Sequence, residues 1–590
     1  VTQTEIGSVK RIDTFSWILS LLGMLCLLPF IQPVHDVPIS SLYSEWLTFL
    51  ILWAALLITC FHGDGASSLV LPKIALAGFC LLAVMAVQLV IMPPEYAQQI
   101  IIPMCYMVSM CAAIQLGYWI RQRGQIERSV FWIAGFLVVG AGYTVALQFI
   151  QLAWPGTYYM PFMMPKTMGA NPYGNIAQSN HAATYLAIGW AAGYYLLSRG
   201  ELRFRFYLPF SFLLICGIIL TGQRSGLIYL SCLSVLFWCF STPTATAGGR
   251  PRRAAWILST PVIYLLTNYM LSGLFRYLGQ DFVAATQRLE SGWDERLQML
   301  RVGWSLFLQA PWFGIGWGRL ASYQYSRADV LATLPTNHVH NLIVQLLAET
   351  GIFCTVVVLG LVLLWLARLI KEPASREKVF TIGMVIVLGL HSLIEYPLWY
   401  AYFLLPLGLF AGMFESQGIR LKLRPIWGQV IAKGMSFAAI GILSCAFLEI
   451  LYVTDMHTRR TWIPYSPVMR YMERLEMTNM PTRFFFKPYI DYIDSTGADY
   501  NTWDLPKKMA LNQRLLNTLI SNNIIVRQSI YLVLAGRDAE AKTAFLRMRK
   551  IFPAKTTAEM LGVIQHAAGV AKNPDLTAFS AWATELVVQK

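Results

Sequence analysis

Long apolar runs separated by short polar segments occupy most of the chain, and their lengths set the first expectation. Crossing a bilayer takes roughly 20 apolar residues in a helix. Stretches near that size fall at 14–32, 42–62, 70–92, 99–120, 129–151, 180–198, 205–221, 225–241, 254–271, 341–369, 379–396, 399–415 and 429–453, about thirteen in all. Two pairs, 205–221 with 225–241 and 379–396 with 399–415, predict tight hairpins. The expected fold is an all-α polytopic membrane protein with a separate helical tail.

Composition agrees. Of 590 residues 56% are hydrophobic and only 13% charged, with a mean hydropathy of +0.51; soluble domains carry about a quarter charged residues. The net charge of +15 could suggest nucleic acid, but the basic residues sit in short loops between apolar runs, which argues against it. All ten cysteines lie inside apolar segments without CxxC spacing, the pattern of small buried hydrophobes and not of a disulfide or zinc framework. The first run begins near Phe15 behind Lys10 and Arg11, as a signal peptide would. No small-residue cleavage site follows, and Pro29 and Pro33 bracket its end, so a retained first span is expected.

Charge then orients the spans. One set of alternate loops holds Lys10, Arg11, Lys73, Arg121, Arg123, Arg128, Arg199, Arg203, Arg205, Arg250, Arg252, Arg253, Arg368, Lys371, Arg376, Lys378, Arg420, Lys422 and Arg424. The short loops of the other set hold only Lys166 and Arg224. The positive-inside rule puts the first set and the N-terminus in the cytoplasm. Three larger pieces then face outward: loops at about 152–179 and 272–340, and the tail 454–590. Within the tail, Ala535–Ala541 through Phe552-Pro553 reads as helix, turn, helix, proline, resembling one tetratricopeptide unit.

Candidate chemistry gathers on that outer face. Arg224, in Gln223-Arg224-Ser225-Gly226, breaks the charge pattern; it either snorkels or offers its guanidinium fork to an anion, with flanking glycines that would let a bulky anion approach. Pro311-Trp312-Phe313-Gly314-Ile315-Gly316 has the look of a nucleotide loop but lacks a flanking strand and helix, and reads better as a tight turn re-entering the membrane surface. In Thr336-Asn337-His338-Val339-His340-Asn341, helical spacing aligns His338, Asn341, Gln345 and Glu349, with His340 off the stripe. His-x-His suggests zinc, but no third ligand cluster accompanies it. Glu349 is equally readable as a hydrogen-bonded interhelical residue. Gln178, Asn180 and His181 are helix caps or ligands for a sugar or diphosphate; His391, Glu395 and Tyr396 lie beside aromatics that suit an interfacial belt or a platform for lipid and sugar faces.

Taken in order, these motifs resemble the O-antigen ligase and polymerase superfamily of bacterial inner membranes, in particular its protein O-oligosaccharyltransferase branch of pilin-glycosylation type. The marks are Gly174-Asn175 with Gln178 and Asn180-His181; Gln223-Arg224-Ser225-Gly226; Arg296 some fifteen residues before Pro311-x-x-Gly314-x-Gly316; His340-Asn341 with Glu349-x-Gly351; and His391-Ser392 with Glu395-Tyr396-Pro397. The resemblance implies a transmembrane glycosyltransferase domain over 1–453 and a periplasmic helical domain over 454–590. It implies en bloc transfer of a glycan from undecaprenyl diphosphate to a Ser or Thr of an exported, pilin-like protein, inverting and without metal or cofactor. Arg224 and Arg296 would grip the diphosphate, and His340 would activate the acceptor hydroxyl or orient the donor phosphate. Gln178, Asn180, His338, Asn341, Glu349, His391, Glu395 and Tyr396 would contact donor or acceptor. Ligation to the lipid A core, or polymerisation of repeat units, is the alternative within the family. A transporter of a lipid-linked substrate is the alternative outside it, disfavoured because no internal repeat is visible.

Overall fold

The computed structural model describes residues 14–36, 38–61, 70–154, 161–165, 171–240, 250–278, 293–328, 333–421, 425–462 and 484–588. Lys10, Arg11, Lys166, Lys422 and Arg424, which helped orient the chain, lie outside them, as do parts of both outer loops and positions 463–483 of the tail.

A helix lies on every apolar stretch. The first is shared by α1 (Thr14–Leu25) and α2 (Leu28–Ile31), parted where Pro29 cannot supply a backbone N–H. Then come α3 (Leu42–Thr59), α4 (Ala75–Ile91), α5 (Gln98–Gln122), α6 (Ile126–Ala153), α7 (Ser179–Arg199), α8 (Phe204–Leu220), α9 (Ser225–Cys239) and α10 (Arg250–Tyr277). The long loop after α10 contributes α11 (Trp293–Gln309) and α12 (Leu320–Ser326). There follow α13 (Leu342–Lys371), α14 (Arg376–Ser392), α15 (Ala401–Met413) and α16 (Pro425–Trp462). The tail is α17 (Lys487–Thr496), α18 (Leu505–Leu516), α19 (Asn522–Leu534), α20 (Asp538–Ile551), α21 (Ala554–Ala571) and α22 (Pro574–Val588). Among the described residues, seven helical segments are long and apolar enough to cross a membrane (14–31, 42–59, 98–122, 126–153, 252–277, 342–371 and 427–454), while α4, α8, α9 and α15 are shorter apolar helices.

The chain forms two compact units. One comprises 1–79, 107–292 and 360–444. Its centre is α7, whose alanines and glycines let α6, α8 and α14 approach closely while Tyr185, Trp190 and Tyr195 fill the space between. The basic loops of this unit bond to one another. Arg121 pairs with Glu372 at 2.9 Å, Arg199 with Glu127 at 2.7 Å and Glu377 at 3.3 Å, and Arg368 with the buried Glu415 at 2.7 Å. The described residues are helical as expected, with one small addition: Val70–Pro72 and Gly418–Arg420 form a short antiparallel ladder with Val70 opposite Arg420. Two short loop segments meet side by side there, leaving backbone groups that only each other can satisfy.

The second unit comprises 80–106, 293–359 and 445–590. Its tail helices enclose a core of Leu515, Ile524, Ile530, Tyr531, Phe545, Ile564 and Phe579, onto which Tyr325 of α12 packs. Helices α19 and α20 are joined through Gly536 in the left-handed region, giving the helix–turn–helix read from the sequence. The buried Glu449 of α16 accepts the backbone N–H groups of Phe485 (3.2 Å) and Phe486 (2.8 Å), and the Tyr96 hydroxyl donates to Asp491 at 2.8 Å.

Candidate functional site

The residues singled out in the sequence divide between the units. Gln178, Asn180, Arg224, His391, Glu395 and Tyr396 belong to the first; Arg296, His338, His340, Asn341 and Glu349 belong to the second.

In the first unit the segment 171–178 is held by polar side chains of α6. Gln151 Oε1 accepts from the N–H groups of Tyr173 (3.1 Å) and Gly174 (2.9 Å), and its amide nitrogen donates to the carbonyls of Met164 and Gly174, both at 3.0 Å. Gln148 donates to the carbonyls of Pro172 and Gly217, each at 3.1 Å. Asn175 is turned inward, donating to Ile31 O at 2.7 Å and Phe162 O at 2.9 Å. Asn180 donates to Glu395 at 2.9 Å, so these two site candidates bind each other across the segment. His391 is fully buried, with Nδ1 2.8 Å from the Thr184 hydroxyl, and Nδ1 of the buried His181 is 3.0 Å from the Tyr402 hydroxyl. Gln178 and Tyr396 line a cavity of about 280 Å³.

Arg224 stands, partly buried, at the head of α9. Gly226, two residues on, does not keep a space open for an anion. Gly222 adopts φ 66° to close the turn, and a Cβ on Gly226 would collide with the side chain of Ile218. The turn is steadied by the Tyr264 hydroxyl donating to Gln223 O at 3.3 Å.

In the second unit the His338–His340 turn is held from both ends. Gln345 accepts from Val339 N at 2.8 Å and donates to Asn337 O at 3.1 Å. Thr336 Oγ1 donates to His338 O at 3.0 Å and accepts from His338 N at 3.2 Å. Asn341 caps α13, its side-chain oxygen accepting from Ile343 N and Val344 N, each at 3.1 Å. Between the histidines, Val339 sinks into a core with Val302, Leu306, Ile315, Leu320 and Ala348. The backbone therefore enters His340 at φ 56°, a left-handed conformation that few residues other than glycine adopt. Burial, with a smaller contribution from neighbouring His340, pushes the His338 imidazole down to about 3, so the ring is neutral near pH 7.

Arg296 belongs to α11, the helix that packs on this turn. A Cβ on Gly303 would strike Val339 and Val344, so that face of α11 packs on the histidine segment. Arg296 lies seven residues earlier, on the same face and about 10 Å along the axis.

Glu349 has a different task. Helix α13 is interrupted at Gly351 (φ 77°, ψ 178°), and the 311–318 loop fills the break. Ile315 N donates to Ala348 O at 2.9 Å, Gly316 N to Glu349 O at 3.2 Å, Ile352 N to Pro311 O at 2.8 Å, and Gly318 N to the Glu349 carboxylate at 2.9 Å. Gln88 of α4 completes the clasp, donating to the carbonyls of Glu349 (2.8 Å) and Phe313 (3.1 Å) and accepting from Trp317 N at 3.0 Å. A side chain on Gly314 would meet the Glu349 backbone, and one on Gly351 would meet Trp312. The Gly-x-Gly loop is thus a tight turn against a broken helix, as its sequence suggested, and Glu349 takes the hydrogen-bonded structural reading.

Three glutamines that the sequence reading passed over, Gln88, Gln148 and Gln151, turn out to hold the backbone of the 311–318 loop and of residues 172–174. Their signal was available, since an uncharged amide in an apolar run needs partners as much as a charge does.

Comparison with known proteins covers each of these regions. A "Protein glycosylation ligase" family matches residues 172–197, "O-Antigen ligase" matches 209–359, and the C-terminal part of "Virulence factor membrane-bound polymerase" matches 379–562. The first takes in Gln178 and Asn180, the second Arg224, Arg296, His340 and Glu349, and the third His391 and Glu395. A "General O-oligosaccharyltransferase" of Acinetobacter baylyi is 23% identical over 496 residues, 76% of this chain and 83% of the relative. A "ComP-specific O-oligosaccharyltransferase" of the same organism is 23% identical over 402 residues, 66% of this chain and 70% of the relative. Together these matches support an O-oligosaccharyltransferase of the O-antigen ligase superfamily.

Proposed function

We propose that the protein transfers a preassembled oligosaccharide en bloc from undecaprenyl diphosphate to Ser or Thr hydroxyls of an exported, pilin-like protein. It does so in the bacterial inner membrane, with thirteen crossings and the chemistry in the periplasm. The relatives' shared activity supports the class of reaction. The observation that carries the residue assignment is the His338–His340 turn, where three side chains and a buried valine fix a histidine in a strained backbone conformation.

In this reading His340 takes the proton of the acceptor hydroxyl as its oxygen attacks the anomeric carbon. The bond from that carbon to the diphosphate oxygen breaks with inversion, and undecaprenyl diphosphate leaves. Arg224 and Arg296 offset the charge that develops on it, so the step needs no metal or cofactor. Neutral His338 adds no competing positive charge beside the base. Gln178 and Tyr396 contact the donor, while Asn341, Glu349, Asn180 and Glu395 hold the segments that present these groups. His391 holds Thr184 in the packing beneath them. The tail 454–590 forms the periplasmic helical domain.

The orientation is supported by which loops touch. Lys73 donates to Gln417 at 2.8 Å, and the Arg121, Arg199 and Arg368 ion pairs all join loops assigned to the cytoplasm. His35 and Asn175, and likewise Arg319 and Pro93, join segments assigned to the other side.

The test is reconstitution in vesicles with undecaprenyl-diphosphate-linked glycan and a pilin, scored by the glycan mass added to the pilin. Addition that is lost in His340→Ala supports the reading; full transfer by His340→Ala overturns the role of that residue. Glycan appearing on lipid A core instead would select the ligase function named by the family matching 209–359.

A further inference from the structure

The cavity in the first unit has a chemistry that the diphosphate-binding role does not use. Its walls are the segment before α3 (His35, Ser40, Ser41, Ser44), residues 176–178, and the turn from α14 into α15 (Tyr396, Tyr400, Tyr402), with Pro29 and Phe30 beneath. The walls are fixed to one another. His35 Nδ1 lies 2.8 Å from Ser40 O and Nε2 lies 2.6 Å from Asn175 O, spanning two walls. The Glu45 carboxylate accepts Ala401 N at 2.6 Å, binding the start of α3 to the third wall. Ala177, on the rim, sits at φ 61°, a left-handed conformation that the surrounding contacts impose.

The lining combines aromatic faces with hydroxyl and amide edges. Tyr396 and Tyr400 are nearly parallel at 6.0 Å, and Tyr402 follows at 5.3 Å from Tyr400. Among the described residues no arginine or lysine lines it, and the formal charges held directly behind it, Glu45 and Glu395, are carboxylates. Such a lining offers a phosphate no counter-charge among the described residues. It matches a pyranose, whose C–H face packs on an aromatic ring while its hydroxyls meet Ser, Gln and Tyr groups. At about 280 Å³ the cavity lies just under the ~300 Å³ where pockets for drug-sized ligands begin, so it takes one sugar ring and not a whole oligosaccharide.

We propose that this cavity is a subsite for one uncharged sugar ring of the lipid-linked donor, gripped by Gln178, Tyr400 and the hydroxyls of Ser40 and Ser41. The proposal rests on the donor being a lipid-diphosphate glycan. Its test measures the affinity of the full chain in nanodiscs for three probes: bare undecaprenyl diphosphate, and the same lipid bearing one glucose or one N-acetylglucosamine. The wild type should prefer one of the sugar-bearing probes about tenfold, the equivalent of one or two hydrogen bonds. Tyr400→Leu should erase that preference and leave the affinity for the bare lipid unchanged. Ser40→Trp, which fills the cavity from its exposed rim, should do the same without removing a buried contact. No sugar preference in the wild type, an unchanged preference in both variants, or equal weakening of all probes would overturn the subsite. Failure of the wild type to bind even the bare lipid would instead refute the donor assignment, and the subsite with it.

Discussion

Two pairs of histidines, one in each unit, show how little a residue type says without its surroundings. His181 and His391 lie inside the first unit with ring centres 5.6 Å apart, each with a ring nitrogen beside a hydroxyl, Tyr402 for one and Thr184 for the other. Both sit on regular helices and are buried to within 1%. His338 and His340 lie on a turn whose neighbours have spent their own side chains fixing its backbone, and one of the two is held in a left-handed conformation. The first pair is arranged like core polar residues; the second lies on a turn whose backbone is fixed by the side chains around it. The contrast teaches that backbone constraint, more than proximity of imidazoles, distinguishes the turn proposed to carry the chemistry from a pair that packs.

The contrast breaks most readily on activity. His340→Ala should reduce glycan transfer by about 10²–10⁴-fold, the usual worth of a positioned general base. His391→Gln, which keeps a hydrogen bond to Thr184, should lower it by less than about tenfold. Comparable losses in the two variants would erase the distinction. Next in size is the clasp under the second pair. Gly351→Ala adds a side chain where Trp312 sits and at φ 77°, and should cost about 3 kcal/mol or more in unfolding experiments. Retention of wild-type stability would mean that the loop and the helix break are not tied together.

A pH series sharpens the picture further. His338 is held below its ordinary value, at about 3, so between there and about 6.5 the unfolded chain binds a proton that the folded chain does not. Stability from this group is therefore complete above about pH 6.5 and is lost as the pH falls toward 3. His338→Gln should flatten that part of the melting-temperature profile; an unchanged acid slope would locate the sensitivity elsewhere. The smallest effect expected is Asn341→Ala, about 1 kcal/mol of stability for a lost helix cap, with donor KM unaltered. A large rise in KM would return Asn341 to the list of ligand-contacting residues.

Much of this was legible beforehand. Hydropathy located each apolar helix, because an unpaired backbone group in lipid is so costly that a spanning segment has few alternatives. The motif order identified the superfamily. Roles within the motifs were harder to read, since spacing reports which residues share a face and not what they touch. The stripe through His338, Asn341, Gln345 and Glu349 looked like a binding surface, yet Asn341, Gln345 and Glu349 spend their side chains on backbone groups. His35 and Ser40 gave no periodic signal at all, because a cavity wall made from three distant segments has no local pattern.

The facing glycines of the clasp carry a consequence for variation. Gly314 and Gly351 each stand where the other segment's backbone runs, so any side chain at either position adds atoms to space already filled. A partner cannot be trimmed to make room, because the obstructing atoms are main chain and common to all twenty amino acids. The two positions therefore have no compensating double substitution. Adaptation of the neighbouring histidine turn to a new donor or acceptor must proceed around them, by changes in Thr336, Gln345 or the residues of α11, with the loop-to-helix junction passed on unaltered.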